Sequence, residues 1–196
     1  MKDKKTRCWN IADDDELMKN YHDNEWGRPT HDDRDIFEAL ILEGAQAGLS
    51  WRTILNKRDN YRKAFDDFDV ELVASYDEKK VEELLNNEGI VRNRLKIDSA
   101  IKNAKVFIEI QKEFGSFDKY IWGFVDGKVV ENDRKESFDE MPVKTDLSDK
   151  IGKDLKKRGM SFVGSTIIYS MIQSIGIVND HKKNCCQSWR ASKLRY

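Results

Sequence analysis

The chain has 196 residues, with 35 basic against 36 acidic side chains, a net charge of −1, and 36% of its residues charged. That length suits one domain with a sizeable core, and the balanced charge supplies no bulk attraction to nucleic acid, so any DNA contact needs a local basic patch. No apolar run reaches the length of a membrane helix and no apolar N-terminal stretch ends in a cleavage site, which excludes a membrane partner and a signal peptide from the expectation.

Three cysteines, an odd number, argue against a disulfide framework and for a reducing cytoplasm. Two prolines and eleven glycines are too few for a loop-rich β protein, so the expected class is all-α.

In chain order, Cys8 and His22 come first, around a dense stretch of aromatic and polar residues, Tyr21-His22-Asp23-Asn24-Glu25-Trp26-Gly27. Residues 32–46 read as a helix. Acidic side chains crowd its start, and Ile36, Phe37, Leu40 and Ile41 form pairs one turn apart. Glu43 lies on that apolar face, so either it points inward and needs a partner, or it is a helix-end carboxylate in water. Gly48 ends the helix and Ser50 caps the next, Trp51 to Phe65. A short turn follows at 69–76, and Asp77 caps a helix from Glu78 to Asn87. A long amphipathic helix carries Ile97, Ile101, Ala104, Phe107 and Ile108. Phe117 to Phe124 reads as another helix, and 126–145 as a loop with a short hairpin near Asp126-Gly127. Helical patterns return at Leu147–Lys157 and Val163–Ile175.

Four features carry chemistry. The turn at Gly89, between two helices, has the form of a helix–hairpin–helix. There a glycine permits positive φ, helix N–H groups hold a phosphate, and Arg92, Arg94 and Lys96 add charge; an ordinary glycine cap is the other reading. A second glycine-marked turn, Lys156-Lys157-Arg158-Gly159 to Gly164, either faces phosphates or is a solvated last turn, with Gly164 signalling a close approach. Finally, Cys8, His22, His181 and Cys185 are either four zinc ligands or two unrelated polar pairs. Cys185-Cys186 lies among Asp180, Lys182, Lys183 and Arg190, a poor place for apolar cysteines, which favours a thiolate ligand. Four protein ligands leave zinc no open position, so such a site is structural and clips the chain ends together. Tyr21, Trp51, Trp9 and Trp26 suit the stacking of a base lifted from a duplex, although any one tryptophan is more often core.

Several blocks, read together, resemble the bacterial 3-methyladenine DNA glycosylase I family: 21–27, Leu-Glu-Gly-x-Gln-Ala-Gly-Leu-Ser-Trp at 42–51, Gly-Ile-Val-Arg-x-Arg-x-Lys-Ile at 89–97, Lys-Lys-Arg-Gly-x-x-Phe-Val-Gly at 156–164 and Gly-x-Val-Asn-Asp-His at 176–181. The resemblance implies a single domain over 1–196. Its helix–hairpin–helix core would span roughly 31–175, with terminal segments of roughly 1–30 and 176–196 tied by one structural zinc through Cys8, His22, His181 and Cys185. It implies a monomeric, monofunctional cytoplasmic enzyme acting on double-stranded DNA with alkylated bases. A flipped 3-methyladenine would be read by Glu43 and Tyr21, stacked on Trp51 and flanked by Trp9 and Trp26. Gly89, Val91, Arg92, Gly159 and Gly164 would hold the DNA backbone. Two positions depart from the family pattern: Trp9 follows Cys8 directly, and Met18 stands where the family often has tyrosine. The rival expectation is a zinc-containing damaged-DNA-binding protein without catalysis.

Overall fold

The computed structural model describes residues 5–132 and 135–188, so the outer ends of both terminal segments lie outside the described residues. Among the described residues the helices are α1 (Glu16–Asn24), α2 (Asp33–Gln46), α3 (Trp51–Ala64), α4 (Val70–Ala74), α5 (Glu78–Asn86), α6 (Arg94–Phe114), α7 (Phe117–Gly123), α8 (Asp146–Lys157) and α9 (Ser165–Ser174). The fold is therefore mostly helical, as its composition implies. Among the described residues, extended structure is confined to β1 (Val130–Glu131) and β2 (Val178–Asn179), which pair in parallel with Val130 opposite Val178.

Most helix starts are written in the sequence. Asp32, Ser50, Asp69, Asp77, Asn93, Ser116 and Thr145 each accept a hydrogen bond from the backbone N–H three residues on, which satisfies one orphan donor and is worth about 1 kcal/mol. Helix α9 is the exception. Its first residue follows Gly164, which offers no side chain, so the N–H groups of that terminus receive no side-chain cap.

One expectation fails and one helix was not foreseen. Asp126 and Gly127, both with positive φ, form a turn closed by N–H groups of Gly127 and Lys128 to carbonyls of Trp122 and Val125, and no hairpin follows. The strand after it reaches 48 residues along the chain, to β2, for its partner. Helix α1 has no counterpart in the sequence reading. Its buried residues are the consecutive Tyr21, His22 and Asp23, which do not recur at helical spacing.

Helix α2 is central: Ile36 to Ala45 is buried apart from Ala39, and the helix packs against α3, α6, α7 and α9. Asp33 at its start accepts from the N–H groups of Phe117 (2.9 Å) and Asp118 (2.7 Å), which fastens α7 to it. Phe107 and Phe117 stack in the core, with ring centroids 3.9 Å apart. Gly176 (φ 75°) brings the chain end back against the backbone of Arg28 and Pro29, where an added Cβ would collide. The contact joins the two terminal segments. Replacing Gly176 with Ala is expected to lower the stability by roughly 3 kcal/mol or more, read as a shift of the urea midpoint.

Candidate functional site

A cavity of about 340 Å³ lies between α1, α2, α3 and α9. Its aromatic wall comprises Trp9, Tyr21, Trp26 and Trp51; its polar groups include Glu43, Gln46, Ser170 and Gln173. The aromatic rings lean on one another, with Trp9 to Trp26 centroids 4.8 Å apart and Tyr21 to Trp51 centroids 5.1 Å apart. Trp9 thus reaches the cavity despite following Cys8 directly, and half-buried Met18 forms part of the lining.

Glu43 does point inward. It is 5% exposed, and its carboxyl has no hydrogen-bonding or ionic partner among the described residues. Burial pushes it up to about 8, so the acid is mostly neutral at pH 7. Burial, reinforced by Glu43, also raises Tyr21 well above an ordinary phenol. The Trp51 indole N–H is buried and unpaired. An apolar cavity lined by unpaired polar groups is a site built for a planar ligand with polar edges.

Cys8, His22, His181 and Cys185 form a second, fully buried group behind the aromatic wall, with one ligand atom from each within 4.8 Å of every other. The sulfur-to-nitrogen separations are 3.4 Å for Cys8 to His181 Nδ1, 3.4 Å for Cys185 to His22 Nε2 and 3.5 Å for Cys185 to His181 Nδ1. Ligands about 2.0–2.3 Å from a shared tetrahedral centre stand about this far apart, so the set fits zinc. Asp23 accepts from His22 Nδ1–H (2.8 Å), which leaves Nε2 as the lone pair facing the cluster. Burial alone would raise Asp23, but donors on Arg7 and His22 outweigh it and hold the carboxyl well below its usual range. The contact between the two sulfurs holds the Cys185 thiol low, helped by the two imidazoles, while the same contact and burial push Cys8 up, so Cys185 is the sulfur favoured as a thiolate.

The turn between α5 and α6 differs from expectation. Gly89 does not have positive φ; glycine is needed because Asn60 and Asn87 crowd the position, within 2.9 Å of an added Cβ. Several N–H groups of the turn are engaged within the protein: Gly89 donates to Asn87 Oδ1 (2.8 Å), Ile90 to the Asn87 carbonyl (3.3 Å), Asn93 to the Val91 carbonyl (2.9 Å) and Val91 to the Tyr61 hydroxyl (3.1 Å). Any phosphate grip by Val91 N–H requires that bond to open. Of the basic residues nearby, Arg94 pairs with Glu78 and Glu82, and Lys96 donates to the Ala45 and Ala47 carbonyls (both 2.7 Å). Arg92 is 54% exposed and is the most loosely paired of the three, its guanidinium 3.7 Å from Glu88. In the second turn Gly159 has φ 107°, while Arg158 folds back onto Asp154 and Glu113. Gly164 is exposed, with nothing within 4 Å of an added Cβ, so the close approach expected there does not come from the protein.

A helical protein with an aromatic, carboxyl-bearing cavity beside an enclosed Cys₂His₂ cluster has the form of a base-recognising nucleic-acid enzyme. Residues 9–188 match the methyladenine glycosylase family, and the chain belongs to that family. It is 44% identical over 180 residues to DNA-3-methyladenine glycosylase 1 of Escherichia coli (strain K12), covering 92% of this chain and 95% of that protein. A solved structure of a 3-methyladenine DNA glycosylase I is 46% identical, with a TM-score of 0.88 over 92% of this chain and 98% of the other. The Staphylococcus aureus enzyme, solved to show how 3-methyladenine is recognised, is 34% identical with a TM-score of 0.86, covering 89% of this chain and 93% of its own.

Because Glu43 holds a proton up to about pH 8 when folded and releases it near 4.5 when unfolded, the folded state binds the extra proton between those values. Stability from this group is therefore lost as pH rises through that window. Glu43→Gln is expected to become progressively more stable than the parent from pH 5 to pH 8, by at most about 5 kcal/mol, measured by urea unfolding at each pH.

Proposed function

We propose that the protein hydrolyses the N-glycosidic bond of 3-methyladenine in alkylated double-stranded DNA and leaves an abasic site. The names of the relatives support this reading, and the observation that carries it in this chain is the buried, unpaired Glu43 carboxyl inside an aromatic cavity. Methylation at N3 places a positive charge on the base while it is attached to the sugar. The extruded base enters between Trp51 and the rings of Trp9, Tyr21 and Trp26, and its polar edge meets Glu43 and Tyr21. The arriving cation lowers the Glu43 pKa, so the acid ionises and balances the charge. When the glycosidic bond breaks, its electron pair leaves with the base, the sugar becomes an oxocarbenium ion, and water adds to it with loss of a proton. The methylated base is already a good leaving group, so recognition is the greater part of the task. No Schiff base is needed for this reaction, and we read the enzyme as monofunctional, with water as the nucleophile.

The same reading gives the Cys8, His22, His181 and Cys185 cluster one structural zinc, whose chemistry there is to cross-link the chain ends. It makes the chain one domain, with a helix–hairpin–helix core at roughly 31–175 and terminal segments at roughly 1–30 and 176–196. Arg92, the turn at Gly89 and Val91, and Gly159 and Gly164 lie toward the DNA backbone. The uncapped N-terminus of α9, directly after Gly164, supports this by offering N–H groups to a phosphate. The enzyme works as a monomer in the cytoplasm; no described helix is long and apolar enough to cross a membrane.

DNA treated with a methylating agent is expected to release 3-methyladenine on incubation with the protein, detected by chromatography. Glu43→Gln should lower the rate at least about tenfold. In the parent kcat/KM should rise with pH toward about 8, while the variant profile stays flat over that range. No release from a folded, zinc-loaded parent would make the protein a damage-binding relative instead.

Metal analysis is expected to find about one zinc per chain. Cys185→Ser should lower the melting temperature and speed zinc loss to a chelator, with chemistry retained in whatever stays folded. Loss of chemistry in a well-folded variant would contradict a purely structural ion.

A further inference from the structure

Among the polar groups of the cavity, Gln173 has an orientation that its surroundings dictate. It lies on α9 and is 7% exposed, facing the same cavity as Glu43. Its Nε2 donates to Asp180 Oδ2 at 2.6 Å. Asp180 is itself 2% exposed and fully engaged: the Tyr169 hydroxyl donates to the same oxygen at 2.5 Å, and Asn132 Nδ2 donates to Oδ1 at 2.7 Å. With Asn132 Nδ2 on one Asp180 oxygen and the Tyr169 hydroxyl on the other, both oxygens act as acceptors in this network, so the Gln173 amide meets Asp180 through its nitrogen and its oxygen is turned away. That oxygen has no partner among the described residues.

We propose that Gln173 is a further base-recognition residue: its carboxamide oxygen, turned out by Asp180, accepts a hydrogen bond from the exocyclic amine of the extruded adenine. The assignment rests on the glycosylase reading above and divides the labour of the site. Glu43, ionised by an arriving cation, responds to the charge that methylation creates. Gln173 is neutral and held in place, so it responds to the pattern of donors on the base. Adenine presents an amine at position 6, which satisfies the oxygen. Guanine presents a carbonyl there, which leaves two acceptors face to face in a buried site. Sites that hydrogen-bond one group reject the analogue lacking it far more strongly than apolar pockets do.

The test compares free 3-methyladenine with 3-methylpurine, the same methylated ring without the amine, by quenching of tryptophan fluorescence. The parent should bind 3-methyladenine more tightly. Gln173→Met, similar in length but without the acceptor, should weaken 3-methyladenine about tenfold and leave 3-methylpurine unchanged. With alkylated DNA it should also shift release toward 3-methylguanine. A change of packing alone would weaken both probes equally, and that outcome, or no change in either, overturns the assignment. The ratio of the two affinities within one preparation does not depend on how much of it is folded. If Gln173→Met gives no folded protein, Gln173→Asn, which withdraws the oxygen by one methylene, is measured in the same way and judged by the same outcomes. Release of 3-methyladenine by the parent is followed in parallel. Its absence would overturn the glycosylase reading, whereas release with an unaltered ratio in the variant would overturn the role of Gln173 alone.

Discussion

The aromatic cavity and the cysteine–histidine cluster share one wall, and the geometry of the site depends on that sharing. Cys8 faces the cluster while Trp9 faces the cavity; His22 faces the cluster while Tyr21 faces the cavity. The Trp26 ring meets the His181 ring edge-on, with centroids 4.7 Å apart, and Gly27 leaves room for His181 where a Cβ would come within 2.8 Å of Nε2. Neighbours in sequence are thus divided between two compartments. Holding four side chains in the cluster fixes the rings beside them, so three of the four cavity aromatics are positioned by contacts outside the cavity itself. The remaining one, Trp51, opens α3 and is set by the Ser50 cap.

Against that rigid wall stands a carboxyl with no compensation. A buried acid normally finds donors or ionises with a partner, and Glu43 has neither among the described residues. The protein keeps it neutral by raising its pKa, and the resulting site is incomplete without a ligand that brings donors or positive charge. The carboxyl is carried by α2, which is enclosed on several sides. Lys96 ties the end of this helix to the start of α6, and Tyr61 and Lys57 on α3 hold the turn that precedes α6. The turn expected to face DNA is therefore joined by direct hydrogen bonds to α3, which carries Trp51, and the helix it leads into is bonded to the end of α2, which carries Glu43.

The acidic start and apolar pairs of α2, the caps of α3 and α5 and the apolar spacing of α6 were legible because each is a local signal, read within about four residues. The Cys₂His₂ set was legible for a different reason: cysteine and histidine are rare in the chain, and few arrangements explain a cysteine pair in a charged tail. Helix α1 was hidden because its buried residues are consecutive and polar or aromatic. Their burial comes from a cluster and a cavity on its two sides and not from one apolar stripe. The charge expected around Gly89 was misread because ion pairing is decided by residues distant in sequence, Glu78 and Glu82 for Arg94 and the α2 carbonyls for Lys96. Gln173 went unnoticed in the same way, because a glutamine at a helix end carries no local signature and its bond to Asp180 forms only in the fold.

The sequence alone determined the helical class, most helix boundaries, the family and the residue types of the site, since capping, periodicity and motif spacing are properties of neighbouring residues. Only the tertiary structure decided which polar groups are engaged and which are left open. Whether Glu43 meets a partner, whether Val91 N–H is free and which way the Gln173 amide faces depend on atoms brought together from opposite ends of the chain, and the energy of a polar group is set by its partners and its burial, not by its place in the sequence.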